Sequence, residues 1–147
     1  MFNNILFVCT GNISRSPAAE YLLKHQLNQA GRVGITVSSA GLGALVDHPV
    51  EDNVAALLSA DGIDPSAHRA RKISSSMTNS ADLILTMESH QLDELHRRYP
   101  ESRGKCFLLG KWQNDLPVPD PYKRSSEAHE IAYKRVKDGV SAWAKKL

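Results

Sequence analysis

The sequence predicts an α/β fold: one domain, a four-stranded parallel sheet with helices on both faces, and a phosphate-binding loop between the first strand and the first helix. Three observations carry this. The apolar run Ile5-Leu6-Phe7-Val8 reads as a strand buried on both sides, the kind found in parallel sheets. It passes through a short polar loop into an amphipathic helix. That order of strand, loop and helix then recurs to the end of the chain.

The first strand stops at Cys9 and the loop Thr10-Gly11-Asn12-Ile13-Ser14-Arg15. Ser16 before Pro17 reads as a helix start, with Ser as N-cap and Pro in the first turn. Ala19, Leu22, Leu23, Leu27 and Ala30 share one face of that helix, and Gly31 supplies its stop. Ile35 and Val37 alternate with polar residues as a half-buried strand does, before a Gly-rich turn around Gly41 and Gly43. After Pro49 a helix is predicted from Val50 to Asp61, ending near Gly62. Asp82 to Met87 reads as the third strand, Glu88 to Arg98 as a helix stopped by Pro100, and Cys106 to Leu109 as the fourth strand. Ser125 to Lys146 reads as a closing helix with Ile131, Val136, Val140 and Trp143 at helical spacing. Between the last strand and that helix, residues 113–124 form a loop rich in Pro and Asp, and long polar loops of this kind are often functional.

Composition narrows the function classes. The 147 residues suit a single domain spanning 1–147, and 41% hydrophobic content supplies a core. Eighteen basic against sixteen acidic side chains leave a net charge of +2, too little for a nucleic-acid partner. Two cysteines exclude a disulfide scaffold and a four-ligand zinc module. The opening Met1-Phe2-Asn3-Asn4 lacks a basic leader, and no apolar run is long enough for a signal sequence or membrane span. A cytoplasmic, reduced protein without membrane insertion is expected.

Cys9 and Arg15 bracket five residues at a strand end, just before a helix. The spacing alone carries little; the position carries much. A loop there can curl so that successive backbone N–H groups point at one anion, and the helix N-terminus adds partial positive charge. Arg15 supplies a planar fork that binds two phosphoryl oxygens together. The same field favours a thiolate, making Cys9 a nucleophile. Gly11 allows close backbone approach, and Asn12 tolerates a left-handed conformation. Taken alone, Cys9 reads more readily as a small buried hydrophobe. The stretch lacks the G-x4-G-K-[ST] of a nucleotide-binding loop.

Residues 8–17, V-C-T-G-N-I-S-R-S-P, closely resemble the V-C-x-G-N-x-C-R-S-P signature of the low-molecular-weight protein-tyrosine phosphatases. Asp120-Pro121-Tyr122 matches the family's second motif, D-P-Y. Ser39-Ala40-Gly41, His68 with Arg71, and Met87-Glu88 match further landmarks in order, so the resemblance spans the chain. It implies that Cys9 attacks phosphorus and becomes a phosphocysteine, with Arg15 and the amides of Thr10, Gly11, Asn12, Ile13 and Ser14 holding the phosphoryl oxygens. Asp120 would protonate the leaving phenolate and then activate water. Ser16 would hydrogen-bond the sulfur, and Ser39 and His68 would hold the loop in shape. Leu45 and Tyr122 would line the substrate. Without the family, Asp120 reads as a turn residue and His68 as a surface or satisfied core histidine. No cofactor is implied. His25, His48, His90, His96 and His129 show no metal-ligand spacing and read mostly as surface groups.

Two positions depart from the pattern. Ser14 stands where most relatives carry a second cysteine able to trap an oxidised nucleophile. Cys106 begins the fourth strand while Cys9 ends the first, which puts them beyond the roughly 7 Å Cα limit for a disulfide. Leu45 replaces an aromatic wall of eukaryotic relatives, and Lys123 replaces a second aromatic after Tyr122. Both patterns resemble the bacterial branch tied to capsule and exopolysaccharide export, which acts on tyrosine-rich tails of membrane tyrosine autokinases. The resemblance thus implies a phosphotyrosine protein as partner and a monomer or weak dimer. An arsenate reductase on the same scaffold would need more cysteines. A non-catalytic phosphotyrosine-binding module would not be expected to keep Cys9, Arg15 and Asp120 together.

Overall fold

The computed structural model describes residues 2–147; Met1, the first residue of the opening stretch read above, lies outside them. In chain order the elements are β1 (Asn4–Cys9), α1 (Arg15–Gln29), β2 (Thr36–Gly41), α2 (Asp52–Ala60), α3 (Ser75–Ser80), β3 (Leu83–Thr86), α4 (Ser89–Arg98), β4 (Cys106–Leu108) and α5 (Ser126–Ala144). Short 3₁₀ turns cover Pro100–Lys105 and Leu109–Gln113.

Among the described residues the strands form one parallel sheet in the order β2-β1-β3-β4. The chain leaves β1 to build β2 on one side and later returns to build β3 on the other. The carboxyl end of β1 is therefore a switch point, where adjoining connections diverge and open a crevice. Cys9 sits there, paired with Gly41 on β2. Gly41 has to be glycine: a Cβ would stand 2.5 Å from the Thr10 carbonyl oxygen.

Period-two alternation sorts the strand residues between two cores. Ile5, Phe7, Leu83 and Leu85 face Leu22, Leu23, Val54, Leu58, Val136, Val140 and Trp143 from α1, α2 and α5. Leu6, Val8 and Ile84 face Ile73, Ala81 and Leu95 on the other side. Phe7, Leu85 and Leu95 are fully buried, each contributing about 1.5–3 kcal/mol by leaving water. This double layer holds the end of β1 rigid.

The structure shifts several boundaries. Ser16 is not the N-cap of α1; the helix begins at Arg15 with Ser14 before it and no side-chain cap. The Ser16 hydroxyl is engaged in the loop instead. Ile35 lies outside β2, and Gly41 ends that strand rather than starting the turn. Helix α3 and both 3₁₀ turns have no counterpart in the sequence reading: each is too short to show a period. On α5, Ile131 is exposed and Ala132 and Tyr133 turn inward. His129, expected at the surface, is buried, with Nδ1 bonded to the Ser125 carbonyl at 2.9 Å. No helix of the described residues is long and apolar enough to cross a membrane.

Candidate active site

The loop after Cys9 turns its carbonyls away from the crevice. The Cys9, Thr10 and Gly11 oxygens accept from the N–H groups of Leu42, Gly43 and Leu45 at 2.9–3.0 Å. The Asn12 oxygen accepts from His68 Nε2 at 2.8 Å. The Ile13 oxygen accepts from Glu51 N at 2.8 Å and the Ser14 oxygen from Ala18 N at 3.1 Å. With every carbonyl from Cys9 to Ser14 committed outward, the N–H groups of residues 11–14 are left without a backbone acceptor among the described residues. Asn12 makes the turn with φ of 58°, the left-handed conformation expected of it. Consecutive N–H groups in such a turn form a concave anion site, here at the start of α1.

Asn12 also organises the ground beneath. The Arg71 N–H donates to its Oδ1 at 2.9 Å, which fixes the amide so that Nδ2 faces Ser16 Oγ at 2.9 Å and Ser39 Oγ at 3.0 Å. Ser39 passes its own hydrogen to Glu20 Oε1 at 2.6 Å. Ser16 is fully buried, and its hydroxyl lies 2.8 Å from Cys9 Sγ. Because Ser16 Oγ accepts from Asn12, its hydrogen is free for the sulfur.

Arg15 is buried, and its Nη1 donates to the Glu88 carboxylate and to the Val118 carbonyl at 2.8 Å. Its Nη2 stands 3.7 Å from Asp120 Oδ2. Asp120 rises from the long loop with Oδ1 accepting from the Tyr122 N–H at 3.0 Å, so the carboxylate is oriented by its own turn.

A pocket of about 160 Å³ results, lined by Cys9 through Arg15 together with Gly43, Leu45, Asp120 and Tyr122. Residues drawn from both ends of the sequence thus meet as expected. Ser16 is the exception among the expected substrate-binding residues, lying under Cys9 rather than on the wall. Ser39 and His68 sit behind the loop. Lys123, with φ of 60°, places its ammonium 5.5 Å from the Tyr122 ring centroid at the rim.

Several partners escape a reading of the sequence. Glu88 matches only as a landmark, yet it follows a buried strand directly, as Cys9 does, and that position is its signal. Glu20 and Gln91 offer none beyond being polar on amphipathic helices. The Val118 carbonyl, being backbone, has no signal. Ser14 Oγ is buried without a partner among the described residues and lines a cavity of about 10 Å³ with His129.

The family model for low molecular weight phosphotyrosine protein phosphatase matches residues 4–147. The chain is 42% identical over 147 residues to the low molecular weight protein-tyrosine-phosphatase Wzb of Salmonella typhimurium, covering 100% of this chain and 95% of the relative. It is 40% identical over 146 residues to the low molecular weight protein-tyrosine-phosphatase Etp of Escherichia coli K12, covering 99% and 95%. Among solved structures, Vibrio vulnificus Wzb in complex with benzylphosphonate is similar with a TM-score of 0.93 at 37% identity, covering 100% of both chains.

Proposed function

The chain belongs to the low molecular weight phosphotyrosine protein phosphatases and is a cysteine-dependent enzyme of that class; from that premise we propose that it hydrolyses phosphotyrosine through a phosphocysteine on Cys9. The observation that carries this reading is the outward commitment of every loop carbonyl above a sulfur that receives a hydroxyl hydrogen. From the loop itself, a phosphoryl group seated over Cys9 meets only donors, which is the field its transition state needs.

In the first step the Cys9 thiolate forms the S–P bond as the P–O bond to the phenol breaks. Asp120, in its protonated form, gives its proton to the departing phenolate. In the second step the Asp120 carboxylate takes a proton from water, the water oxygen bonds to phosphorus, and the S–P bond breaks. The Ser16 hydroxyl stabilises the returning thiolate. Arg15 Nη2 and the loop amides hold the equatorial oxygens in both steps, and Glu88 with the Val118 carbonyl holds Arg15. Leu45 and Tyr122 flank the substrate ring. The whole span 1–147 serves as this one domain.

The partner we infer is the tyrosine-rich tail of a membrane tyrosine autokinase in polysaccharide export, met in the cytoplasm. Supporting it are the relatives named Wzb and Etp and the bacterial pattern at Leu45 and Lys123. Arsenate reduction is disfavoured because Cys106 lies at the opposite end of its strand from Cys9, two strands away.

Cys9→Ser tests the mechanism: turnover of p-nitrophenyl phosphate should vanish while vanadate still binds. Persistent turnover, or activity lost to a chelator and restored by a divalent ion, would remove Cys9 from the role. Release of phosphate from a phosphorylated autokinase tail, compared with unrelated phosphotyrosine proteins, tests the partner; equal rates would refute it.

A further inference from the structure

Gln91 is fully buried in the first turn of α4, and its side chain reaches both Thr10 on the pocket wall and the Met87–Glu88 turn beside Arg15. Its Oε1 accepts from the Met87 N–H at 3.1 Å and from the Glu88 N–H at 3.0 Å. Two backbone donors converging on one atom leave no choice about which end of the amide is oxygen. Nε2 therefore faces Thr10 Oγ1 at 3.1 Å and donates to it. The Thr86 hydroxyl stands 3.0 Å from the same Oε1 and 2.9 Å from the Val8 carbonyl, keeping β3 and Gln91 beside the end of β1.

Thr10 follows Cys9 directly and is the first residue of the anion loop. Glu88 carries the carboxylate that holds Arg15. Among the described residues, Gln91 alone hydrogen-bonds both Thr10 and Glu88. We propose that Gln91 is a positioning residue for the phosphatase reaction: by tying Thr10 to the Met87–Glu88 turn, it sets the loop bearing Cys9 against the guanidinium of Arg15. The loop is anchored elsewhere by its carbonyls, which accept from the turn after β2, from Glu51 N and from the His68 imidazole, and by the Asn12 side chain, which accepts from Arg71 N. Beside the Arg15–Glu88 pair itself, the Gln91 amide is the side-chain tie from the loop to the β3 side. Without it the two halves of the anion cradle can drift apart, and a misplacement near 1 Å costs about 10²-fold in rate.

The proposal rests on the roles given to Cys9 and Arg15 above. Thr10→Val is the sharpest test, because Thr10 is exposed and valine keeps its shape while removing only the acceptor. It should lower kcat about five- to thirtyfold, a fraction of that penalty, with KM for p-nitrophenyl phosphate and the melting temperature little changed. Thr10→Ser, which keeps the acceptor, should stay near wild type. Gln91→Met should lose as much as Thr10→Val, and the double variant should be no worse than the worse single, since both break one tie. Gln91→Glu should retain more activity than Gln91→Met, because its second oxygen can accept from the Thr10 hydroxyl. A wild-type kcat in Thr10→Val, or additive losses in the double variant, would overturn the proposal. If Gln91→Met fails to fold, the Thr10 pair still decides. Turnover by Cys9→Ser would instead undo the mechanism beneath it, so the two failures are distinguishable.

Discussion

Glu20 and Cys9 stand at opposite ends of one run of hydrogen bonds, and Glu20 sets its direction. Its carboxylate takes the Ser39 hydrogen, Ser39 takes one from Asn12, Asn12 gives its other to Ser16, and Ser16 is left with its own for the sulfur. The run carries no net charge to the thiol. It does present a hydroxyl already turned toward the sulfur, so that in the proposed mechanism no reorganisation would be needed when charge returns there.

Ser16→Ala should therefore slow breakdown of the phosphocysteine more than its formation. The expected kcat loss is about 10²–10³-fold, the range for removing one preorganised donor. Rapid quench should show an early burst of phenol and an accumulated phosphoenzyme. A uniform slowing with no burst would place the Ser16 hydroxyl in the first step or in loop shape alone.

Asp120→Asn separates acid chemistry from turn geometry, because asparagine keeps the Oδ1 acceptor for the Tyr122 N–H. For phenols that leave poorly, the rate should fall by about 10²–10⁴. The deficit should shrink for p-nitrophenol, which departs without much help. A deficit independent of leaving-group pKa would deny Asp120 the proton transfer.

Ser14→Cys should be well tolerated, since the buried Ser14 hydroxyl has no partner to lose among the described residues. The variant should recover more activity with dithiothreitol after peroxide, a neighbouring thiol having trapped the sulfenic acid of Cys9 as a disulfide. Cys106 offers no such trap; it is buried at the far end of β4, and burial raises its thiol above the usual range. Equal recovery in both proteins would point to another protection, such as a backbone sulfenamide.

Tyr133 donates to Asp61 Oδ2 at 2.6 Å, and Lys137 reaches the same oxygen at 2.9 Å. The Tyr133 hydrogen bond, then that of Lys137, holds the Asp61 carboxyl below its ordinary value. A depressed folded value means stability that is present above the unfolded pKa of about 3.9 and lost as pH falls through the folded one. Tyr133→Phe should cost about 1.5 kcal/mol at pH 7, read from urea midpoints. The gap to wild type should close below about pH 3.9, where Asp61 in the unfolded chain is already protonated. A gap unchanged in acid would assign the loss to packing.

Much of the fold and its site is legible in the amino-acid sequence. The run from Ile5 to Val8 and the loop after it define the sheet and its site, because burial on both faces leaves a continuous apolar signature and an anion loop has few sequence solutions. Asp120 is legible only through its D-P-Y context, since an aspartate before proline is ordinarily a turn residue. What stays hidden is the wiring. Glu20, Glu88 and Gln91 act through contacts with partners 19, 73 and 81 positions away in the chain, and no local period encodes such pairings. Ile131 and His129 are misplaced for a simpler reason: the inward stripe of α5 is set by where α1 and the 3₁₀ turn after β4 lie, which periodicity alone does not say.

The central place of β1 in the sheet has a bearing on how the chain comes into being. The segment bearing Cys9 is synthesised ahead of both its neighbours, for its strand needs residues 36–41 on one edge and 83–86 on the other before it is fully paired. Asp120, the proton donor of the proposed mechanism, follows much later in the chain, and α5, which packs on α1, comes later still. A nascent chain therefore carries Cys9 through much of translation without Asp120, its partner in the proposed mechanism. Long-range closure of this kind is slow by nature and leaves apolar edges open while it waits. On the mechanism proposed above, catalytic competence would have to wait for the loop bearing Asp120 and for α5, which packs on α1.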